Sequence, residues 1–387
     1  MLQCIRARTL YTGTAVVEDA YLVFQGERVA GISPTRKGQP VGECAVLTPA
    51  FVDAHSHIGM HRAAEPASES EANEHLDPLM TLPDALDSVQ LDDPSFADTV
   101  EMGVLYSCAL PGSGNILSGR SAVIRHYAAD STQALVARAG IKAAFGHNPR
   151  STGRWRGERP SSRMGALALL RARLSEVRQK EARRRAARGA KRQDITFTAA
   201  EQVLLDLLHG RECLRAHVHK TDDIAAVLRL ADEFRLKLTV EHAMDVHEPD
   251  TFRELKKRKI PVVYGPLDSF AYKVELRHKS WRNVRHLIDS GVECGLMSDH
   301  PVTPARSLLL TTRWFIRCGY NRQQAIELIT RGNARILGVD DRLGTLARGK
   351  WASFTCWNGD PFDLTCHPVA VYGEGRLLFS EAAADAA

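Results

Sequence analysis

The sequence has no pair of cysteines at the two-residue spacing that is typical of a zinc knuckle or a redox motif, although it contains eight cysteines. Several of them, such as Cys108 and Cys294, stand inside apolar, strand-like runs. Buried cysteines behave as small apolar side chains. We therefore predict buried free thiols rather than disulfides.

Long apolar runs are also missing. No stretch approaches the roughly 18 apolar residues of a membrane span, and the start, Met1 to Arg8, lacks the apolar core of a signal peptide. We therefore expect a cytoplasmic protein with no membrane partner. The 387 residues, of which 44% are hydrophobic and 25% charged, suit one large globular domain with a smaller accessory one.

The net charge is only +5, and much of the positive excess lies between Arg171 and Arg192. A basic stripe of this kind is one signature of nucleic-acid binding. No aromatic residues interleave with these arginines, as a platform for stacking bases would require. We interpret the segment as a solvated helix face and predict no nucleic-acid partner.

Two kinds of pattern divide the chain. Residues 1–49 and 342–387 contain short apolar runs broken by glycine-bearing turns, and each segment is too short to bury a core alone. They predict one small β-sandwich domain, antiparallel and built from both chain ends. Residues 50–341 alternate strand-like runs with helical patterns such as Asp222 to Phe234, which is typical of parallel α/β folds.

The middle segment contains eight strand-like runs, which predict a (β/α)8 TIM-like barrel with insertions. The eight runs are Ala50 to His55, Val104 to Ala109, Ala122 to His126, Ile141 to Phe145, Leu214 to His217, Leu238 to His242, Pro261 to Tyr264, and Cys294 to Ser298.

Residues that bind metals stand at the ends of four of these runs. Two imidazoles two residues apart project from the same face of a strand, and neutral imidazoles and carboxylates are ligands of zinc and similar ions. The carboxyl ends of barrel strands meet at one mouth. The sequence therefore predicts a metal site there, built from His55, His57, His217, His219, His242 and Asp299.

The glycine-rich loop Pro111 to Gly119 follows the second run, so it is expected to reach the same mouth. It either offers backbone N–H groups to an anionic group of a substrate or forms only a tight turn. No Gly-Lys-Ser/Thr follows it, as a phosphate-binding loop would require.

Several motifs together resemble the amidohydrolase superfamily and, within it, the imidazolonepropionase-like hydrolases of uncharacterised substrate. These motifs are Thr48-Pro-Ala-Phe-Val-Asp-Ala-His55-Ser-His57, Ile141-Lys-Ala-Ala-Phe-Gly-His-Asn-Pro149, Arg215-Ala-His-Val-His219, His242, Gly265-Pro266, Lys273-Val-Glu-Leu-Arg277, Ser298-Asp-His-Pro301, Gly344-x4-Gly349-Lys350 and Gly359-Asp-Pro361.

The resemblance implies one or two divalent metal ions that activate a water molecule, with zinc first and iron or manganese as alternatives. It assigns His55 and His57 to the more buried ion, and His217 and His242 to the second or shared one. Asp299 would bind metal and, with His242, serve the catalytic proton transfers. A homo-oligomer is a further expectation at the level of the family.

Three positions leave alternatives open. Lys142 is a candidate for the carboxylated lysine that bridges two metals in similar proteins, or a lysine paired with Asp299 or exposed. His147 stands where similar proteins carry glutamate, so an imidazole would replace a carboxylate ligand, with a changed metal preference or a lower activity. His219 either lines the substrate pocket or has a structural role.

Deaminases of this superfamily carry a glutamate shortly after the fifth-strand histidine, and none follows His217 here. We therefore predict an enzyme that hydrolyses a C–N bond in a small molecule, a linear or cyclic amide of non-peptide or dipeptide-like kind. The alternative is a weak or inactive relative with a structural or regulatory role. The candidate substrate-binding residues are His219, Tyr264, Arg163 and Arg277. The two arginines are candidates because guanidinium groups fit carboxylates.

Overall fold

The computed structural model describes residues 1–63, 65–150 and 159–384. Its strands are β1 (Gln3–Tyr11), β2 (Val16–Gln25), β3 (Arg28–Ser33), β4 (Gln39–Pro49), β5 (Phe51–Ser56), β6 (Val104–Ala109), β7 (Leu117–Arg125), β8 (Leu135–Ala144), β9 (Leu214–Val218), β10 (Leu238–His242), β11 (Val262–Tyr264), β12 (Cys294–Leu296), β13 (Phe354–Trp357), β14 (Pro368–Gly373) and β15 (Arg376–Ser380).

The helices surround the strands or connect them. The α-helices are α1 (Pro94–Glu101), α2 (Ser131–Ala134), α3 (Arg163–Ala186), α4 (Ala190–Gln193), α5 (Ala199–Leu208), α6 (Thr221–Phe234), α7 (Pro249–Lys257), α8 (Val284–Ser290), α9 (Leu308–Thr311), α10 (Arg313–Arg317), α11 (Arg322–Glu327), α12 (Asn333–Leu337) and α13 (Glu381–Ala384). A π-helical turn, Leu328–Gly332, joins α11 to α12. Single 3-10 turns occur at Ala67–Glu69, Ala85–Asp87, Asn148–Arg150, Val274–Leu276, Trp281–Asn283 and Ala305–Ser307.

The eight strands β5 to β12 form one sheet in chain order, a nearly closed barrel. The predicted barrel strands are thus present, but the prediction that all are parallel is wrong: β7 runs antiparallel to both β6 and β8. Residues 110–116, which connect β6 to β7, contain no helix. A connection of this length permits a hairpin, whereas a parallel crossover needs a dozen or more residues.

The barrel closes between β5 and β12 without a strand ladder. Asn333, at the start of α12, accepts from the backbone N–H of Leu296 through its side-chain oxygen at 2.9 Å and donates to the carbonyls of Val52 and Leu296. Asp53 of β5 accepts from the backbone N–H of Ser298 at 3.0 Å. These side chains hold the first and last strands together, so that their carboxyl ends share one mouth.

The close approach of Asn333 requires glycine at position 295, where a Cβ would lie 1.9 Å from the Asn333 side-chain oxygen. We expect Gly295→Ala to lower the free energy of unfolding by about 1–3 kcal/mol through overpacking. Denaturant unfolding measures this change. Gly42→Ala is the control, since nothing lies within 4 Å of its Cβ; equal stability of the two variants would contradict the role of Asn333.

The remaining seven strands form a second sheet with the order β15-β14-β13-β4-β1-β2-β3, so both chain ends contribute to it. It is mixed rather than antiparallel, because β1 pairs with β4 in parallel. The rings of Phe24 on β2 and Tyr372 on β14 lie 6.0 Å apart although three strands separate them in the sheet. The predicted sandwich is therefore a single sheet that curls around its own apolar core.

Helix α3 carries most of the basic segment. Arg171 pairs with Glu233, and Lys180 pairs with Glu201. Arg178 also lies over the Phe234 ring at 4.5 Å. These contacts attach the basic face to neighbouring helices.

None of the helices in the part of the chain that the structure describes is long and apolar enough to cross a membrane. All eight cysteines lie in that part and are unpaired, as predicted.

Candidate functional site

The first group of predicted ligands lies where β5 and β12 end. His57 Nε2 is 3.3 Å and His55 Nε2 is 3.6 Å from Asp299 Oδ1. The backbone N–H of Asp299 donates to the His55 carbonyl at 3.0 Å, which draws the two strand ends together. Asp299 has a φ of 54°, a strained conformation for a residue with a side chain, and such strain is typical of functional sites.

The second group consists of His217 on β9, His242 at the end of β10, and His219 just beyond β9. One nitrogen of each ring lies within 4.8 Å of the others. His242 Nδ1 is 2.9 Å from the Gly265 carbonyl, which places the proton on Nδ1 and the lone pair on Nε2. That Nε2 and both ring nitrogens of His219 are buried without a hydrogen-bond partner among the described residues.

The two groups form one continuous cluster. The rings of His55 and His242 have centroids 4.9 Å apart. Lys142 of β8 is fully buried, with its Nζ 2.9 Å from His55 Nε2. Burial lowers the pKa of His55, His217 and His242, and the positive charge of Lys142 lowers it further. Burial lowers the pKa of Lys142 itself to about 8. Lys142 is therefore not exposed, and its position beside His55 leaves the carboxylated lysine a prediction.

Burial also determines the charge of the ligand residues. It lowers the pKa of His55, His217 and His219 well below the usual value, and that of His242 to about 3, so these rings are neutral at pH 7. For Asp299, burial raises the pKa, but the charge of His242 and the hydrogen bond from His57 outweigh this effect and lower the pKa to about 2. Neutral imidazoles around an ionised carboxylate are the donor set that divalent transition metals prefer.

Buried polar residues inside the barrel orient His55. Its Nδ1 lies 2.9 Å from Glu241 Oε2. Glu241 Oε1 accepts from Arg215 at 2.9 Å and from Thr239 at 2.5 Å. Such a carboxylate on the far nitrogen places the proton on Nδ1 and directs the lone pair of Nε2 toward Lys142 and the cluster, as is common for metal-binding histidines.

His147 does not join the cluster. Its side chain is exposed, and its backbone N–H donates to Glu275 Oε2 at 2.8 Å. The neighbouring Asn148 enters instead, with its Nδ2 3.3 Å from His217 Nε2. The prediction of His147 as a ligand is therefore wrong, because the turn directs Asn148 inward. The nearby carboxylate belongs to Glu275, whose Oε1 is 3.9 Å from His219 Nε2.

The four candidate substrate-binding residues are placed differently. His219 is in the cluster. Arg163 reaches the rim but is paired with Asp223 at 2.9 Å, next to Gly146 and Glu275. Arg277 is exposed. Tyr264 is not at the mouth, contrary to the prediction: its ring packs 6.2 Å from that of Phe252 on α7, outside the barrel.

Besides Asn148, four residues of the site were not among the predicted ones. Glu241 and Arg215 are charged residues within apolar strand runs, and this pattern was a usable signal for a buried ion pair. Ser113, in the glycine-rich loop, has its Oγ 2.9 Å from His217 Nδ1, so this loop does reach the mouth as expected. Glu275 stands in the motif Lys273-Val-Glu-Leu-Arg277 but follows no strand end directly, so alternation along a strand gave no signal for it.

Solved structures and curated proteins resemble this chain. An amidohydrolase from Thermotoga maritima superposes with a TM-score of 0.91 at 29% identity, covering 98% of this chain and 100% of that one. A prolidase complexed with N-methylphosphonate-L-proline has a TM-score of 0.63 at 15% identity, with 98% and 100% covered. An adenosine deaminase from Xanthomonas campestris with bound zinc has a TM-score of 0.56 at 15% identity, with 98% and 93% covered. The last two likenesses concern the fold alone.

Among curated proteins, the amidohydrolase tasK of Hapsidospora irregularis is 26% identical over 366 residues, covering 87% of this chain. The chain spans about a third of the length of that relative, 36%. The family model described as "Amidohydrolase family" matches residues 162–378, which is more than half of the chain. The superfamily resemblance is confirmed: the protein belongs to the amidohydrolase family.

Proposed function

We propose that the protein is a metal-dependent hydrolase that cleaves a C–N bond in a small amide, of the N-acyl amino acid or dipeptide type. The observation that carries this proposal is the cluster at the barrel mouth. There, buried nitrogens of His219 and His242 have no hydrogen-bond partner among the described residues, and the ionised Asp299 lies against His55 and His57. Burial without partners is costly for polar atoms, so these atoms favour a bound ligand.

Members of the amidohydrolase family generally bind divalent metal ions. The residues present fit such ions: His55, His57 and Asp299 would hold one, and His217 and His242 a second. Lys142 lies beside His55. A divalent ion there lowers the pKa of a water molecule and polarises the substrate carbonyl. We propose zinc, which accepts this mixture of imidazole and carboxylate ligands; iron and manganese are the alternatives.

The chain's own residues would handle the proton. Asp299 is ionised at neutral pH, and its Oδ1 faces His57 Nε2 at 3.3 Å. We propose that an Asp299 carboxylate oxygen accepts a proton from the attacking water and then donates it to the leaving nitrogen. Glu241 and Arg215 hold the His55 ring in one orientation, which fixes the position of this ring relative to the Asp299 carboxylate.

Lys273 suits the binding of a substrate carboxylate better than the arginines do. Its side chain is only 13% exposed, its charge lowers the pKa of His217 and His219, and its nearest anionic partner, Glu275 Oε1, is 3.6 Å from Nζ. Arg163 is already paired with Asp223. The prolidase likeness, although it concerns the fold, agrees with a substrate that ends in a carboxylate.

We expect Lys273→Gln to raise KM for N-acyl amino acids by about 10–100-fold, because a hydrogen bond to a charged group contributes about 1.5–3 kcal/mol. The value of kcat should change less, since the carboxylate lies away from the reacting carbonyl. Steady-state kinetics on hydrolysed substrates provide the measurement.

Lys257→Gln is the matched control, because Lys257 is exposed on α7. An N-acyl amine without a carboxylate is the matched substrate and should be hydrolysed equally by both variants. A Lys273→Gln enzyme with unchanged KM for the carboxylate substrates would assign the anionic end to another residue.

The proposed function is tested by elemental analysis of protein purified without added metal, followed by a screen of amides, lactams, dipeptides and N-acyl amino acids for amine release. We expect stoichiometric metal and turnover of at least one class. Metal-free, folded protein would contradict the proposal. Metal without turnover would favour the weak or inactive alternative, which rested in part on His147; the exposed ring of that residue lies outside the cluster.

A further inference from the structure

A third group of metal-ligand side chains lies on the rim of the barrel, outside the cluster. Asp245 follows β10 and is only 2% exposed, whereas His247 and His278 are exposed. One ligand atom from each of the three lies within 4.8 Å of the others. The proposed hydrolysis uses none of them.

Asp245 orients both imidazole rings. Its backbone carbonyl is 2.9 Å from His247 Nδ1, and its carboxylate Oδ2 is 3.3 Å from His278 Nδ1. Both acceptors place the proton on Nδ1 and leave the lone pair of each ring on Nε2. The two rings lie side by side, with centroids 4.1 Å apart and planes inclined by 32°. Hydrogen bonds of this kind orient histidines toward metals in known sites.

The buried Asp245 carboxylate also lacks a permanent positive partner. Within residues 1–63, 65–150 and 159–384, its one ion-pair partner is His278, and no lysine or arginine nitrogen lies within 4 Å. Its Oδ1 accepts from the His278 backbone N–H at 2.5 Å. A buried carboxylate is costly unless a cation neutralises it. A divalent ion between two imidazoles would provide that charge.

We propose that Asp245, His247 and His278 form a second, separate site for a divalent transition metal ion such as Zn²⁺. The Nε2 atoms of His247 and His278 would bind the ion, Asp245 would hold both rings from their Nδ1 side, and water would complete the coordination. His278 follows the 3-10 turn Val274–Leu276. The bound ion would therefore attach residues 273–279, which include Lys273 and Glu275, to the loop after β10.

Equilibrium dialysis of the full chain against Zn²⁺, followed by elemental analysis, tests this site. We expect the double variant His247→Gln/His278→Gln to bind one equivalent fewer than the wild type. The control is His209→Gln/His367→Gln, which removes two histidines that each pair with a single glutamate; it should bind as much as the wild type. Equal stoichiometry of all three proteins would overturn the proposal.

A second measurement follows the segment itself. Zn²⁺ should slow amide hydrogen exchange in residues 273–279 of the wild type and leave it unchanged in the double variant. Exchange that responds equally in both proteins would also overturn the proposal. If the double variant fails to fold, the single variant His247→Gln, which changes one exposed ring, provides the same comparison. Failure of the rim site would leave the metal content of the barrel cluster unchanged, so it is distinguishable from failure of the proposed hydrolase function.

Discussion

Asp299→Asn is expected to lower kcat by about 10²–10⁴-fold, the usual contribution of a positioned general acid or base. The amide has nearly the shape of the carboxylate but neither accepts a proton from water nor returns one to the leaving nitrogen. Asp299 lies within 3.6 Å of both His55 and His57, so the same change should also reduce the amount of bound metal. Steady-state kinetics with elemental analysis measures both effects.

The matched control for this variant is Asp98→Asn, which makes the same chemical change in an exposed ion pair with Arg306. It should retain full activity and metal. Unchanged kcat in Asp299→Asn at full metal occupancy would assign the proton transfers to another residue.

Arg215→Met is expected to lower the free energy of unfolding by about 3–5 kcal/mol, the cost of leaving one partner of a buried ion pair alone. Arg215 is 1% exposed, and its Nη2 is 2.9 Å from Glu241 Oε1. Because Glu241 orients His55, activity should fall as well. Chemical denaturation monitored by circular dichroism measures the change in stability.

Two controls separate the charge from the loss of volume. Arg215→Met/Glu241→Gln removes both charges and should recover much of the lost stability. Arg306→Met breaks an exposed pair with Asp98 and should cost at most about 1 kcal/mol. A double variant no more stable than Arg215→Met would show that packing, not the unpaired charge, causes the loss.

The positions of the barrel strands could be predicted because buried strands are short apolar runs that end in polar residues. Val104–Ala109 and Leu238–His242 agree with the prediction residue for residue. The direction of β7 could not be predicted from its own residues, because an apolar run reads the same in either direction. The short, helix-free connection at residues 110–116 contained that information.

The ligand residues at the strand ends were predictable for a similar reason. Alternation along a strand determines which side chains share a face, so His55 and His57 at the end of β5 were expected together. The helix α6 likewise begins within one residue of its predicted start, at Thr221. Local periodicity is enough for such features, since it depends on neighbouring residues alone.

The sequence by itself determined the residue types of the cluster and the strands that carry them: imidazoles at the ends of β5, β9 and β10, and Asp299 after β12. Only the tertiary structure decided which other side chains reach it. It excludes the rings of His147 and Tyr264 and brings in Glu275 and Asn148. The physical reason is that loop conformation and long-range hydrogen bonds, which local patterns do not encode, direct these side chains.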